Sequence, residues 1–322
     1  MGGIVLKFKE ARTWDREPER ILRLLESSGT EQASPRSAPN GLAPDPLAKL
    51  NQLIALDTIK NLAQEIQALQ KVGEFRRVAG LRAEPQVLHM VFTGNPGTGK
   101  STTARILAEG FRGMGILAKG HLIEVERADL VGEYVGHTAQ KTREHIQRAQ
   151  GGILFVDEAY SLARGGERDF GRESIETLVK GMEDHGSEFI LILAGYPREM
   201  AEFLASNPGL RSRFPIRIDF PDYRPAELLR IAEYFLAAKE YRLSDEAHHY
   251  LEWLLSLKSG TPWWPSGNAR TVRNLLESAI RKQSWRLSKL NHRPLRAELE
   301  RLEVSDLREA GREQMAQTNP LV

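Results

Sequence analysis

Cysteine is absent from the 322-residue chain, so no disulfide can staple the fold, which suits a reducing compartment. Long apolar runs are missing as well: Phe189–Ala194 is among the longest and falls far short of the ~20 residues that span a bilayer. Near the N-terminus, Ile4-Val5-Leu6 is broken by Lys7 and cannot serve as a signal-peptide core. Gly2 is followed at position 6 by Leu6, where myristoylation would want Ser or Thr. An excess of one charge is also lacking. Lys and Arg number 45 against 43 Asp and Glu, a formal +2, so no overall field draws the chain to DNA or an anionic membrane. These absences predict a cytoplasmic protein with neither membrane nor nucleic acid as partner. Hydrophobic residues at 41% and charged residues at 27% are ordinary for a globular protein long enough to bury a real core.

Against that background one segment carries chemistry. Gly94-Asn95-Pro96-Gly97-Thr98-Gly99-Lys100-Ser101 fits the phosphate-loop pattern G-x-x-x-x-G-K-[ST]. In that pattern backbone N–H groups cradle a triphosphate, the lysine reaches its far end, and the hydroxyl meets Mg²⁺. Val87–Thr93 reads as a buried strand before it. Ser101–Arg112 reads as a helix after it, with Ala104, Leu107, Ala108 and Phe111 at helical spacing. A strand feeding a helix N-terminus adds a positive dipole end for the phosphates, and Thr102 falls in that first turn. Downstream, Ile153-Leu154-Phe155-Val156 is a continuous apolar run ending in Asp157-Glu158. In phosphate-loop ATPases the first acid holds Mg²⁺ and the second polarises the attacking water. Both acids belong beside the loop, because ligands of open α/β sheets bind at the strand C-termini. ATP and Mg²⁺ are thus the expected cofactors, with Ser101 and Asp157 on the metal.

Three regions are predicted. Residues 1–46 hold a short helix carrying Ile21, Leu22, Leu24 and Leu25, then a Ser/Pro-rich linker. Residues 47–221 open with an amphipathic helix presenting Ile59, Leu62, Ile66 and Leu69 on one face, with Asp57 as its N-cap. Strand runs at 87–93, 121–126, 153–156, 189–194 and 216–220 then alternate with helical patterns, which predicts a three-layer α/β sandwich on a mainly parallel sheet. The 216–220 run alternates apolar and charged residues, as an edge strand does. Residues 222–322 turn helical (225–241, 245–257, 269–288 and 295–310) and form a smaller domain.

Three longer segments carry a family resemblance: Ala128-Asp129-Leu130-Val131-Gly132-Glu133-Tyr134-Val135-Gly136-His137-Thr138, Asp157-Glu158-Ala159-Tyr160, and Asn207-Pro208-Gly209-Leu210-Arg211-Ser212-Arg213-Phe214. From about Leu47 to Leu287 the chain resembles the AAA+ ATPases, in the branch of sporulation ATPases and red-type Rubisco activases. The resemblance implies a homo-oligomeric ring, a hexamer, with ATP at subunit junctions and a protein client. It makes Tyr134, Val135 and Gly136 a pore loop. One tyrosine per subunit can hold an extended chain without reading its sequence, although a Tyr packed beneath a loop is the plainer alternative. Residues 163–171 resemble a second pore-facing loop, with loop filler as its rival.

By the same resemblance Arg213 is the arginine finger given to the neighbour, with Arg211 in reserve and a structural ion pair as the alternative. Arg270 is the sensor-2 arginine, with Arg273 competing. Tyr196 stands where such proteins place Asn or Thr as sensor 1, with a hydrogen-bonding hydroxyl and a packing role as equal alternatives. Ile54 and Leu56 line the adenine pocket, although the family tends to have Gly at Ala55. The basic run Arg281, Lys282, Arg286 and Lys289 reads as a solvated or subunit-facing surface, and Trp263-Trp264 as core closure or a partner contact. Spore maturation is the implied role. A Rubisco-activase-like remodeller, a nucleic-acid-directed loader and an ATP-dependent scaffold stand as rivals in that order.

Overall fold

The computed structural model describes residues 45–83, 86–134, 136–164, 169–257 and 267–318. The predicted N-terminal helix, Val135, most of the second pore-facing loop and Trp263-Trp264 lie outside them.

Two helices precede the sheet, α1 (Ala48–Asn51) and α2 (Asp57–Val78). Strand β1 (Met90–Gly94) leads into α3 (Lys100–Gly113). Strand β2 (Leu122–Val125) is followed by α4 (Arg127–Leu130) and α5 (His137–Ala149). After β3 (Ile153–Val156) a 3₁₀ turn (Ala159–Ala163) precedes α6 (Gly171–His185). After β4 (Ile190–Gly195) come α7 (Pro197–Ser206) and α8 (Pro208–Arg213), then β5 (Ile216–Phe220). The five strands are parallel in the order β2-β3-β4-β1-β5. The alternating strand 216–220 therefore lies at an edge, as its pattern predicts.

Alternation along each strand sorts side chains between two cores. Val91, Leu154, Val156, Leu191 and Leu193 pack with α5, α6 and α7. Met90, Phe92, Ile153, Phe155 and Ile192 pack with α1, α2 and α3. Both faces are covered, which is why β3 and β4 read as unbroken apolar runs. The result is the three-layer parallel sandwich, with residues 94–99 and Asp157-Glu158 at the C-terminal edge of its sheet.

A third core builds the C-terminal part from α9 (Pro225–Ala237), α10 (Asp245–Ser256), α11 (Asn268–Ser288) and, after the short α12 (Arg296–Glu300), α13 (Val304–Thr318). Ser244 caps α10 by accepting from the Ala247 N–H at 3.2 Å. The expected single helix over 295–310 is in fact broken. Residues Arg301–Leu302 leave α12 as a strand, β7, and pair with Arg242–Leu243, β6. Gln283 from α11 holds the break open by donating to the carbonyls of Glu298, Leu299 and Arg301.

Two further expectations need correction. Asp57 does not cap α2: Ala55 and Leu56 both take left-handed backbone, so Leu56 is the N-cap and Asp57 becomes the first helical residue. Leu69 is not buried. The apolar seam of α2 is Ile59, Ala63 and Ile66, and beyond Ile66 the exposed Leu69, Val72 and Phe75 show that the helix has outrun the core.

Candidate nucleotide site

Helix α3 starts at Lys100 behind Gly99, and no side chain caps it. Its first-turn N–H groups are left facing outward, the standing requirement for an anion site. Lys100 Nζ folds back and donates to the carbonyls of Gly94 (2.7 Å) and Asn95 (2.9 Å), which keeps the ammonium inside the loop curve. Thr98 tightens that curve by donating its hydroxyl to the Asn95 carbonyl at 2.8 Å. Burial pushes the Lys100 pKa down, Asp157 and Glu158 oppose the shift, and Arg270 adds to it. Four charged groups from three distant segments thus feel one another at this point.

They line a cavity of about 670 Å³. Its floor is Gly97 with residues 99–103, and Asp157 and Glu158 enter from the end of β3. Gly195-Tyr196 comes from the end of β4, Ile54 and Leu56 from the segment before α2, and Arg270 and Arg273 from α11. Asp157 Oδ1 accepts from the Glu158 N–H at 3.0 Å, while Glu158 holds left-handed backbone at φ 47°. That conformation is uncommon outside glycine and tends to cluster at functional positions. Ser101 hydroxyl and Asp157 carboxylate are hard oxygen donors suited to Mg²⁺. Among the described residues no group of three or more His, Cys, Asp or Glu is arranged to hold a metal alone. That suits Mg²⁺, which binds through one or two protein oxygens together with substrate phosphates.

The roof is attached to the floor by contacts that sequence reasoning missed. Asn268, fully buried at the start of α11 with φ 49°, donates from Nδ2 to Asp222 Oδ1 (2.8 Å) and to the Pro96 carbonyl (3.3 Å). Its Oδ1 accepts from the Tyr223 N–H at 3.1 Å. The Tyr223 hydroxyl donates to the Thr98 carbonyl at 3.0 Å, and Asn95 Nδ2 donates to the same Asp222 Oδ1 at 3.0 Å. Ala269 N–H reaches the Gly97 carbonyl at 3.1 Å. Three carbonyls of the phosphate loop are thereby taken up by the helical part. Burial pushes the Tyr223 pKa to about 12, so the phenol stays a donor. No spacing rule flags Tyr223, Asp222 or Asn268, although Asn268 lies two residues before Arg270.

The remaining predicted residues fall as follows. Arg270 and Arg273 both line the cavity, and Arg273 lies over the Phe235 ring at 4.9 Å. Tyr196 packs on Tyr160, ring centroids 5.8 Å apart, beside Glu158. Arg213 does not line the cavity of its own chain. It pairs with Glu183 on α6 and donates to the Gly209 carbonyl at 2.7 Å. Tyr134 stands 65% exposed on the loop before α5, with His137 against its ring at 5.5 Å. The basic run is largely spent within the chain: Arg286 chelates Asp306 at 2.9 and 2.8 Å, and Lys282 reaches Glu313 at 3.5 Å. Among the described residues no helix is long and apolar enough to cross a membrane.

Comparison with known proteins gives the family. Residues 90–222 match the ATPase family associated with various cellular activities (AAA), and residues 224–317 match the AAA lid domain. The chain belongs to the AAA family of ATPases. It binds and hydrolyses ATP, and the helical part is its lid. It is 49% identical over 292 residues to stage V sporulation protein K of Bacillus subtilis (strain 168), covering 90% of each chain. It is 44% identical over 237 residues to the chloroplastic ribulose bisphosphate carboxylase/oxygenase activase of Cyanidioschyzon merolae (strain NIES-3377 / 10D), covering 73% of this chain and 80% of that one. The crystal structure of the FIGL-1 AAA domain superposes with a TM-score of 0.56 at 19% identity, over 84% of this chain and 87% of that one, which is a likeness of fold.

Proposed function

We propose that this ATPase works as a hexameric ring that turns ATP hydrolysis into movement of a protein client. Lys100 and the backbone of the phosphate loop hold the triphosphate, with Thr102 in the first helical turn. Ser101 and Asp157 hold Mg²⁺, which neutralises charge on the phosphates. Glu158 takes the proton of the attacking water. Ile54 and Leu56 enclose the base, Arg270 reads the phosphates from the lid of the same subunit, and Arg213 reaches the γ-phosphate of the neighbour. An arginine supplied in trans is worth about 10³–10⁵ in rate. Tyr134, Val135 and Gly136 grip the client.

One observation carries this reading. Lys100, Asp157, Glu158 and Arg270 converge on one cavity, while Arg213 and Tyr134 point to work outside it. For Arg213 to reach a neighbour it must exchange Glu183, its partner within the chain, for the phosphate. Glu158→Gln tests the assignment: it should keep ATP binding, favour the assembled ring and abolish turnover, and loss of binding instead would remove the role given to Glu158. Tyr134→Ala should spare basal hydrolysis and lose remodelling. Similarity to stage V sporulation protein K over 90% of each chain favours a client of spore maturation. The activase relative supports a second reading, a remodeller of Rubisco, which stimulation of hydrolysis by a sugar bisphosphate would favour.

A further inference from the structure

Between β2 and the Tyr134 loop stands a residue that no motif singles out. Arg127, in the first turn of α4, donates from Nη1 to the Ser161 carbonyl and from Nη2 to Asp169 Oδ1, each at 2.6 Å. The pair with Asp169 is sheltered, with side chains 33% and 11% exposed, so this charge-assisted bond is not screened as a surface pair would be. The two acceptors belong to different segments. Ser161 lies in the 3₁₀ turn that continues from the acid pair, and its N–H is held by the Glu158 carbonyl at 2.8 Å. Asp169 lies just before α6, and its Oδ1 also accepts from the Gly171 N–H at 2.9 Å. A Cβ at Gly171 would lie 2.1 Å from the Leu162 carbonyl and 2.9 Å from Arg127 Nη1, so the start of α6 is packed directly on the 3₁₀ turn beside Arg127.

The other end of α4 is tied down too. The Thr142 hydroxyl bridges the Leu130 carbonyl (3.2 Å) and Ser174 Oγ (3.0 Å), and Thr138 Oγ1 accepts from the Gly132 N–H at 2.9 Å. Helix α4 is therefore a four-residue lever. It is gripped at its start by the segment leaving Glu158 and passes at its end into the Tyr134 loop.

We propose that Arg127 is a positioning residue that carries rearrangement at Asp157-Glu158 to the Tyr134 loop and to Asp169 at the start of α6. The inference rests on the reading of Tyr134 as the client-gripping residue. Because the chain has no cysteine, Glu133→Cys offers a single labelling position beside Tyr134. In a Glu158→Gln background, an environment-sensitive dye at that position is expected to change emission when Mg·ATP is added. Arg127→Met should remove most of that change while affinity for a fluorescent ATP analogue stays within about threefold of the parent. Arg127→Lys, able to serve one acceptor at a time, should restore part of it. Asp169→Asn, which keeps the Ser161 bond, gives a milder loss and serves if the methionine variant does not fold.

A full dye response in folded Arg127→Met, or none in the parent, overturns the proposal. A merely structural tether would lower the melting temperature and leave the amplitude intact. Failure of the gripping role would show separately: with Glu158 intact, casein-stimulated hydrolysis would survive Tyr134→Ala, while the dye response of the Glu158→Gln protein would persist.

Discussion

The phosphate loop is held from two sides, and the two are built by different means. On the core side, eight consecutive residues, Gly94 to Ser101, set the curve between β1 and α3, and the acids arrive at the end of an apolar strand of the same sheet. On the lid side the same loop is fastened by side chains separated from their partners by 45 residues (Asn268 to Tyr223), 125 (Tyr223 to Thr98) and 172 (Asn268 to Pro96). Core-side geometry follows from local backbone rules; lid-side geometry exists only once the chain has folded. Pro96, Gly97 and Thr98 belong to both sides, so the loop's backbone cannot shift without disturbing its lid contacts.

This contrast is tested hardest at Gly97. It and Gly115 share a φ of 72°, so alanine costs about 1–2 kcal/mol of left-handed strain at either. Their surroundings differ. A Cβ on Gly97 would lie 2.0 Å from the Gly267 carbonyl and 2.9 Å from the Arg270 nitrogen, whereas one on Gly115 meets nothing within 4 Å. Gly97→Ala should therefore push the lid off the loop and weaken ATP binding by about a hundredfold or more in calorimetry. Gly115→Ala should change only stability. Equal affinities for the two variants would mean that lid contact with the loop is dispensable.

Next in size is Asn268→Ala. It strips one partner from Asp222 and the acceptor from the Tyr223 N–H, and should cost about 2–3 kcal/mol in urea unfolding. Asn268→Gly relaxes the positive φ without restoring the bonds, so it should recover about 1 kcal/mol of that loss and no more. Full recovery would mean that backbone strain, not hydrogen bonding, governs the position.

Tyr223→Phe removes one bond, about 1 kcal/mol, and changes the pH dependence. The folded-state pKa of Tyr223 is raised from 10 to about 12, so its contribution is complete below pH 10 and drains away as pH climbs from 10 to 12. The parent should lose up to roughly 2 kcal/mol more than Tyr223→Phe over that interval. Tyr160, also raised to about 12, keeps some alkaline sensitivity in both proteins. Parallel alkaline profiles would show that the Tyr223 phenol is not what titrates against the fold.

What could be read from the sequence divides along the same line. The phosphate loop, Asp157-Glu158 and the five strands follow short-range patterns, and all were visible, including the edge position of 216–220. The misreadings lie where distant contact overrides local preference. The helix expected over 295–310 broke because Gln283 claims three carbonyls and β7 pairs with β6, and neither has a signal at residues 295–310 themselves. The burial of Asn268 was equally invisible, since Asn at a helix start reads as an ordinary cap.

The slightest change is predicted where both sides meet. Residues 53–56 are shared: Leu53 and Leu56 pack on the core, while Ile54 and Ala55 pack on the lid. That alternation demands a sharp twist, and Ala55 supplies it at φ 59°, with Leu56 at 64°. The resemblance to AAA+ proteins would place Gly at 55, and the backbone keeps the conformation a glycine adopts freely. An alanine here carries left-handed strain that the extra chain entropy of glycine in the unfolded state only partly offsets, so Ala55→Gly should stabilise the protein by about 0.5–1 kcal/mol. Nucleotide affinity should hold, because Ile54 and Leu56 keep their places in the cavity wall. A destabilised Ala55→Gly would show that the Ala55 methyl packs on the lid for more than its conformation costs, and the segment would then belong to the lid side alone.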